Sequence, residues 1–401
     1  MTSYLDHAAT TPMGRRALEA MVAELGRTGN ASSLHGAGRA ARRVVEESRE
    51  VVAARLGARP SEVVLTSGGT EADNLAVKGL FWARSAADPR RRRVLVSGGE
   101  HHAVLDPAVW LGGEGAEVVL LPVDGCGRLD LDALSAELDE HGDEVALLSV
   151  MWANNEVGTV QPVEQVVALA RAHGVPVHCD AVQAVGQLPV DFAASGLDAM
   201  TVSAHKVGGP VGVGALLARR GLDLTPVLHG GGQERGVRSG TLDVPSVRAF
   251  AVALEEAVDL QPTESVRLAV LRDRLVQGIR ERVEGAVLRG PEVLGATPED
   301  GRTAARLPAN AHLTFNGCEG DSLLYLLDSR GVQCSTGSAC RAGVPQPSHV
   351  LLAMGVEPLD ARGALRFSLG RASGDQDVAA VLEVLPEVVD RARAAGLSGV
   401  R

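Results

Sequence analysis

The chain contains little lysine and few aromatic side chains. Only two of its 401 residues are lysines, Lys78 and Lys206, although lysine and arginine together number 39. Chemistry that needs a titratable amine, such as the formation of a Schiff base, therefore has two candidate side chains. Aromatic residues make up 2% of the chain, which argues against a surface that stacks the bases of nucleic acid.

Charge, hydropathy and cysteine usage exclude further classes of protein. The 39 basic residues face 50 acidic ones, a formal net charge of −11, so we expect no direct binding of nucleic acid through its phosphates. No run approaches the roughly 18 apolar residues of a membrane span, and no secretion signal is recognisable at the start. The five cysteines include no Cys-x-x-Cys pair, which argues against zinc ribbons and thioredoxin-like sites. We expect reduced thiols, a cytoplasmic protein and no metal site.

Short apolar runs alternate with amphipathic stretches up to about residue 245. Helices are predicted over Arg39–Leu56, Glu71–Arg84 and Val163–His173. The alternation of strands and helices predicts an α/β protein with a mainly parallel, seven-stranded sheet flanked by helices. The predicted strands are Val63–Thr66, Arg93–Ser97, Glu117–Leu121, Val145–Met151, Val175–Cys179, Ala199–Ser203 and Gly212–Leu217.

The pattern changes in the last third of the chain. A long helical stretch, Val247–Val283, leads to a strand at Ala311–Phe315 and to two further helices, Asp321–Ser329 and Asp375–Ala394. We expect a large domain over residues 14–257. Residues 1–13 and 258–401 would form a smaller α+β domain that carries a small-residue loop at about 333–345.

Two polar residues directly follow or end predicted strands. Lys206 follows Ala199–Ser203, within Ser-Ala-His-Lys-Val-Gly-Gly. Ligands of open α/β sheets bind where strands end, and lysine is the residue that attaches pyridoxal phosphate. Asp180 follows Val175–Cys179, where its carboxylate could bind a protonated ring nitrogen. Each has an ordinary alternative, a surface lysine for Lys206 and a helix N-cap for Asp180.

Two strand-to-helix turns carry further candidates. Thr66–Ala72, with the sequence Thr-Ser-Gly-Gly-Thr-Glu-Ala, leaves backbone N–H groups open at a helix N-terminus, which suits a phosphate, although such turns are common. It lacks the lysine of a P-loop. Glu100-His101-His102 follows Arg93–Ser97. We interpret His101 as an imidazole that stacks on an aromatic cofactor and moves protons, with a purely structural histidine as the alternative.

Two loops and one arginine complete the set. Ser335–Gly343 contains no large apolar side chain and should be exposed. Within it, Cys340 is a candidate thiolate nucleophile, and Arg341 could lower its pKa. The glycine-rich stretch Gly230–Thr241 suits an anion or a subunit contact. Arg366 could bind a substrate carboxylate through two hydrogen bonds. The glycine-rich stretch and Arg366 could each instead be an ordinary surface feature.

These residues together resemble the cysteine desulfurases, which are pyridoxal-phosphate enzymes of fold type I in the class V aminotransferase group. The resemblance extends nearly from end to end and carries a highly specific combination of motifs. The matching stretches are Tyr4–Thr11, Asn154–Gly158, Ser203–Lys206, Gly230–Arg235, Gly337–Cys340 and Leu365–Arg371.

The resemblance implies roles around a pyridoxal 5'-phosphate cofactor. Lys206 would form the Schiff base, Asp180 would pair with the ring nitrogen and Gln183 would bind the phenolic oxygen. His101 would stack on the ring and serve as acid and base. The cofactor phosphate would be held by Gly69, Thr70, Ser203, His205 and, from the partner subunit of a homodimer, Thr241.

The resemblance also implies a substrate and a product. Asn155 and Arg366 would hold the carboxylate of L-cysteine, and Cys340 would take its sulfur as a persulfide while L-alanine is released. The loop form resembles the branch that supplies iron–sulfur assembly and tRNA thiolation, through an acceptor protein that the sequence does not identify. Val207 and Val211 depart from the family, which usually has an aromatic residue and a lysine there.

Two other functions stay open at this point. A related pyridoxal-phosphate enzyme, either an aminotransferase or a lyase for selenocysteine or cysteine sulfinate, would use the same cofactor residues without needing Cys340. A non-catalytic scaffold within a sulfur-transfer complex would keep the fold but bind no cofactor.

Overall fold

A computed structural model of the chain describes residues 2–292, 305–337 and 347–398. Cys340 and most of the loop that carries it lie outside these residues. The described helices are α1 (Arg15–Leu25), α2 (Gly36–Arg55), α3 (Gly69–Ala87), α4 (His102–Gly113), α5 (Leu131–His141), α6 (Val163–Ala172), α7 (Phe192–Ser195), α8 (Val244–Arg282), α9 (Gly320–Asp328), α10 (His349–Ala353), α11 (Pro358–Arg362) and α12 (Asp375–Ser398). The described strands are β1 (Ser3–Tyr4), β2 (Val63–Thr66), β3 (Arg93–Ser97), β4 (Glu117–Leu121), β5 (Val145–Ser149), β6 (Val177–Asp180), β7 (Ala199–Ser203), β8 (Gly214–Ala218), β9 (Ala286–Leu288), β10 (Asn310–Phe315), β11 (Val332–Gln333) and β12 (Ala364–Ser368).

Seven strands form the central sheet, in the order β2-β8-β7-β6-β5-β3-β4. All neighbouring strands are parallel except β8, which is antiparallel to both β2 and β7. The prediction of a mainly parallel seven-stranded sheet is therefore confirmed. Four strands match the predicted bounds to the residue. Strand β6 begins two residues later than predicted, after Pro176, which has no N–H to donate to a neighbouring strand.

Helices cover both faces of this sheet. Val63 and Leu65 of β2 point to an apolar cluster built with α2, α5, α6 and α8, whereas Val64 between them packs against α3 on the other face. Leu95 of β3 likewise lies in the first cluster, and Val94 packs with α3 and α4. Because both faces are buried, these strands consist of continuous apolar runs rather than alternating ones.

A second apolar core lies in the later part of the chain. It contains Leu5 together with residues between Leu268 and Ala392. An antiparallel sheet in the order β12-β10-β9 forms part of it, and β1 pairs in parallel with β11, which brings the N-terminus into this unit. Helix α8 reaches both cores, so the division into a large and a small domain near residue 257 stays a prediction that these cores support. No described helix has the length and apolar character required to cross a membrane.

Candidate active site

A cavity of about 410 Å³ opens where the parallel strands end. Thr241 is exposed and lies outside it, and Cys340 is not among the described residues. A larger cavity of about 1250 Å³ lies at the opposite edge of the sheet and contains none of the predicted site residues. Ten of the twelve predicted site residues line the first cavity: Gly69, Thr70, His101, Asn155, Asp180, Gln183, Ser203, His205, Lys206 and Arg366.

Lys206 is the lysine at this cavity. It ends a single 3₁₀ turn that follows β7, and its Nζ donates hydrogen bonds to the carbonyl oxygens of Ala8 (2.5 Å) and Ala9 (2.7 Å). Burial and the nearby Arg366 guanidinium lower its pKa to about 8. An amine with this pKa is partly unprotonated near neutral pH, as covalent attachment to a carbonyl group requires.

Lys78 occupies a different environment. Its Nζ lies 4.3 Å from the centre of the Trp110 ring, and the side chain is half-buried on α3. The side chain is therefore not simply solvated, because a cation over an indole ring is held by the ring's negative face. Lys78 lies outside the 410 Å³ cavity, so this cavity presents one lysine amine.

Three buried carboxyl groups, Asp180, Asp73 and Glu100, influence one another at the site. Asp180 ends β6, and its Oδ1 accepts a hydrogen bond from the N–H of Val182 (2.9 Å) in a turn. No helix begins there, so the helix N-cap alternative was wrong. Burial raises the pKa of Asp180 to about 6 and that of Glu100 to about 8. Burial and the charge of Asp180 also raise the pKa of Asp73. A cation placed against Asp180, such as a protonated ring nitrogen, would restore the ionised form of this carboxyl group.

The turn between β2 and α3 is shaped to accept an anion. Gly68 has φ of +148°, and no side chain caps the N-terminus of α3. A Cβ on Gly214, in the adjacent strand β8, would lie 2.6 Å from the Val202 oxygen and 2.9 Å from the Gly68 carbonyl carbon. Glycine at position 214 therefore lets the turn approach the sheet closely. Because no side chain caps this helix end, its first N–H groups could bind a phosphate, which stays a prediction.

His101 is held as a neutral imidazole with a defined proton position. Its Nδ1 accepts a hydrogen bond from the N–H of Ala103 (3.1 Å) at the start of α4, so the ring proton resides on Nε2. Burial and the Lys206 ammonium lower its pKa to about 4. His101 is an exposed residue that lines the cavity. Its Nε2–H group is thus a hydrogen-bond donor in the cavity wall.

Arg366 and Asn155 meet at the wall of the cavity contributed by the second core. Arg366 lies on β12, and its Nη1 donates to the backbone oxygen of Asn155 (2.8 Å). Its Nη2 donates to Oδ1 of Asp6 (2.9 Å), and its Nε is buried without a partner among the described residues. An arginine with N–H groups that no described residue occupies can donate hydrogen bonds to a carboxylate ligand.

The N-terminal segment is a part of the site that the sequence did not predict. Besides accepting from Lys206, the Ala8 oxygen accepts from Nε2 of Gln183 (2.9 Å). Thr10 Oγ1 lies 3.2 Å from Nδ1 of His205. Only the resemblance at Tyr4–Thr11 indicated that this segment belongs to the site. A coil segment has no periodicity that reveals contacts with residues nearly 200 positions later.

The described residues on both sides of segment 338–346 line the same cavity. Ser335 and Gly337 precede this segment and His349 follows it. Ser335 exchanges backbone hydrogen bonds with Arg366, which fixes the chain at the cavity just before the segment begins. The predicted nucleophile Cys340 is therefore three residues from a described residue of the cavity wall.

The four described cysteines are unsuited to be nucleophiles. Burial raises the pKa of the Cys334 thiol to about 12, and burial also raises the pKa values of Cys126, Cys179 and Cys318. None of the four lines the cavity. Cys126 is exposed, whereas Cys179 and Cys318 are buried. Among the described residues, no group of histidine, cysteine and carboxylate side chains could hold a metal ion.

Comparison with known proteins places this site in a family. The chain matches the family model of aminotransferase class-V over residues 3–381 and belongs to that class. It is 57% identical over 397 residues to an IscS-like cysteine desulfurase of Mycobacterium tuberculosis. The aligned residues cover 99% of this chain and 98% of that protein. It is 40% identical to the cysteine desulfurase IscS of Methanosarcina thermophila, over 97% of this chain and 92% of the relative. Within its class, the chain belongs to the cysteine desulfurases.

Solved structures agree with this placement. A NifS-like protein superposes with a TM-score of 0.87 at 35% identity, over 98% of this chain and 100% of the other. A structure named "SspA in complex with cysteine" superposes with a TM-score of 0.77 at 31% identity, over 92% of this chain and 99% of the other. The predicted family and the predicted fold class are confirmed.

Proposed function

We propose that the chain is a homodimeric, pyridoxal-phosphate-dependent enzyme that transfers the sulfur of L-cysteine to Cys340 and releases L-alanine. In this reaction the C–S bond of cysteine breaks, a bond forms between its sulfur and Sγ of the Cys340 thiolate, and the substrate Cβ gains a proton. The observation that carries the proposal is the convergence of Lys206, Asp180, His101 and Arg366 on one cavity. The similarity of the chain to a protein whose structure was solved with cysteine supports L-cysteine as the substrate.

The residues around the cavity fit pyridoxal phosphate. Lys206 would attach it, Asp180 would pair with its ring nitrogen, and Gln183 would bind its phenolic oxygen. When bound there, the cofactor supplies an electron sink that stabilises negative charge on the substrate Cα. The raised pKa of Asp180 and the uncapped N-terminus of α3 both support this fit, since one group needs a cation and the other an anion. The phosphate would be bound by Gly69, Thr70, Ser203 and His205.

The protein groups would then orient the substrate and move protons. Arg366 and Asn155 would hold the substrate carboxylate at the wall contributed by the second core. His101 would hydrogen bond the reacting groups through its Nε2–H, because its low pKa keeps the ring neutral and its Nδ1 accepts from Ala103. To act as acid and base it would pass through the imidazolium, since a neutral ring does not give up its remaining proton. General acid–base catalysis of this kind contributes typically 10²–10⁴-fold to a rate.

Cys340 is the proposed nucleophile for two reasons. The four other cysteines lie outside the cavity and have raised pKa values. Cys340 is the third residue after Gly337 in the cavity wall, and an extended chain of three residues spans at most about 10 Å. The sulfur acceptor is proposed to be a protein, in iron–sulfur assembly or tRNA thiolation, and the thiol content supports a cytoplasmic location.

The homodimer is proposed from the position of Thr241. This residue is exposed and lies outside the cavity of its own chain. A role for Thr241 in binding the cofactor phosphate therefore requires a second copy of the chain. Sedimentation of the cofactor-loaded protein should give a dimer, and a monomer with full activity would contradict this part of the proposal.

Replacing Cys340 by alanine tests the reaction. The wild-type holoenzyme given L-cysteine should form a persulfide on Cys340, which alkylation and mass spectrometry detect, together with equimolar L-alanine. Cys340→Ala should lose sulfur transfer, and Cys126→Ala, which removes an exposed thiol outside the cavity, should keep it. Sulfur transfer by Cys340→Ala would favour the lyase alternative, and amino transfer to a keto acid would favour an aminotransferase.

A further inference from the structure

Asp6 forms an ion pair with the arginine assigned to the substrate carboxylate. Its Oδ1 lies 2.9 Å from Nη2 of Arg366, whose side chain is 4% exposed while that of Asp6 is 23% exposed. Asp6 is held in place by a parallel β-bridge to Ser368 and by a hydrogen bond from the Tyr4 hydroxyl to the backbone oxygen of Asp6 (3.1 Å). Asp6 is thus fixed beside Arg366, although it does not line the cavity.

The guanidinium of Arg366 can bind a carboxylate while this pair is intact. Arginine has five N–H donors in a planar arrangement. One N–H of Nη1 donates to the backbone oxygen of Asn155, and one N–H of Nη2 donates to Oδ1 of Asp6. The Nε–H group is buried and has no partner among the described residues. A carboxylate that binds the remaining N–H groups would therefore meet an arginine whose charge Asp6 already offsets in part.

Asp6 and Arg366 act in opposite directions at the amine position of the cavity. The positive charge of Arg366 lowers the pKa of Lys206, and the negative charge of Asp6 raises it. On the proposed function, the amino group of the substrate comes to the place where Lys206 attaches the cofactor. A cation at that place is repelled by Arg366 and attracted by Asp6, whereas a carboxylate beside Arg366 is repelled by Asp6.

We propose that Asp6 is a specificity-determining residue that offsets the charge of Arg366, so that the site prefers zwitterionic amino acids to simple carboxylates of the same shape. This inference rests on the proposed role of Arg366. For a zwitterion, the attraction and the repulsion by Asp6 largely cancel. For a monocarboxylate only the repulsion remains, and for charges about 6 Å apart at an effective dielectric constant near 20 it changes affinity by more than tenfold.

The test compares L-alanine with propionate, which has the same carbon chain without the amino group. Calorimetry measures the binding of both compounds to holoenzyme of the wild type and of Asp6→Asn. We expect Asp6→Asn to bind propionate at least about tenfold more tightly, while the affinity for L-alanine changes by less than about threefold. Asp6→Glu should restore the wild-type preference. Equal changes for both ligands, or no change for either, would overturn the inference.

Two controls separate this inference from the proposed function. Asp259→Asn removes an aspartate that pairs with Arg55 at 2.8 Å on the surface, and it should leave both affinities unchanged. Arg366→Lys should weaken both ligands. If Arg366→Lys weakens the binding of both ligands while Asp6→Asn leaves the ratio of the two affinities unaltered, only the inference fails. If Arg366→Lys weakens the binding of neither ligand, the assignment of Arg366 fails as well. Should Asp6→Asn not fold, Asp6→Ser, which keeps an oxygen acceptor, is measured in the same way.

Discussion

Replacing Glu234 by glutamine should strongly destabilise the protein. Glu234 lies in the glycine-rich stretch Gly230–Thr241, with a φ of +47°. Its carboxylate accepts hydrogen bonds from Nη1 and Nη2 of Arg49, each 2.7 Å long, and from the N–H of Leu65 in β2, also 2.7 Å. The Glu234 and Arg49 side chains are 2% and 5% exposed. This carboxylate therefore ties the loop that carries Thr241 to strand β2, which leads into the turn proposed to bind the phosphate.

The magnitude follows from burial. Removing one partner of a buried ion pair costs about 3–5 kcal/mol, because the other charge stays buried without compensation. Glutamine keeps one oxygen acceptor, and Arg49 keeps Glu46, whose Oε2 lies 3.2 Å from Nε, so we expect a loss near the lower limit, about 3 kcal/mol. Urea unfolding followed by far-ultraviolet circular dichroism measures the change as a shift in midpoint at an unchanged slope.

Asp259→Asn is the matched control for this measurement. It breaks the Arg55–Asp259 pair, which is about as short at 2.8 Å but has side chains that are 32% and 51% exposed. Exposed pairs contribute about 0–1 kcal/mol. If Glu234→Gln loses no more stability than Asp259→Asn, the buried pair does not anchor the loop and the reasoning is refuted.

Three further predictions concern the site. Arg366→Lys should raise KM for L-cysteine about 10–100-fold, because an ammonium cannot replace charge-assisted bonds worth about 1.5–3 kcal/mol; an unchanged KM in steady-state kinetics would contradict this. The rate at which apoenzyme takes up pyridoxal phosphate should rise with pH with a midpoint near 8, since the pKa of Lys206 is lowered to about 8 and only the unprotonated amine reacts; a flat profile by absorbance would oppose this. Gly214→Ala should weaken cofactor binding in equilibrium dialysis, because its Cβ would lie 2.6 Å from the Val202 oxygen and 2.9 Å from the Gly68 carbonyl carbon; wild-type affinity would count against the close-approach argument.

Much of the fold was predictable because local patterns encode it. The apolar runs at Val63–Thr66 and Ala199–Ser203 are buried on both faces, so their composition alone marks them as strands. The carboxyl ends of parallel strands meet at one edge, which explains why Lys206 and Asp180 were correctly brought together. The antiparallel direction of β8 was not predicted, because a short apolar run has the same composition in either direction.

The rest of the site depends on contacts between distant parts of the chain. Asp6 meets Arg366 across 360 positions, and Ala8 meets Lys206 across 198. No periodicity records such contacts, because they form only when the N-terminal segment joins the second core and then crosses into the cavity. The ion pair between Glu234 and Arg49 escaped prediction for the same reason, although the glycines around Glu234 indicated an unusual backbone.

Attachment of the cofactor to Lys206 is the central claim, and the two-lysine composition makes it directly testable. The holoenzyme is reduced with borohydride, digested and analysed by mass spectrometry for the pyridoxyl group. The account predicts the label on Lys206 alone, because Lys78 lies over Trp110 outside the cavity. A label on Lys78, or no label on either lysine, would contradict the cofactor assignment and the reaction derived from it.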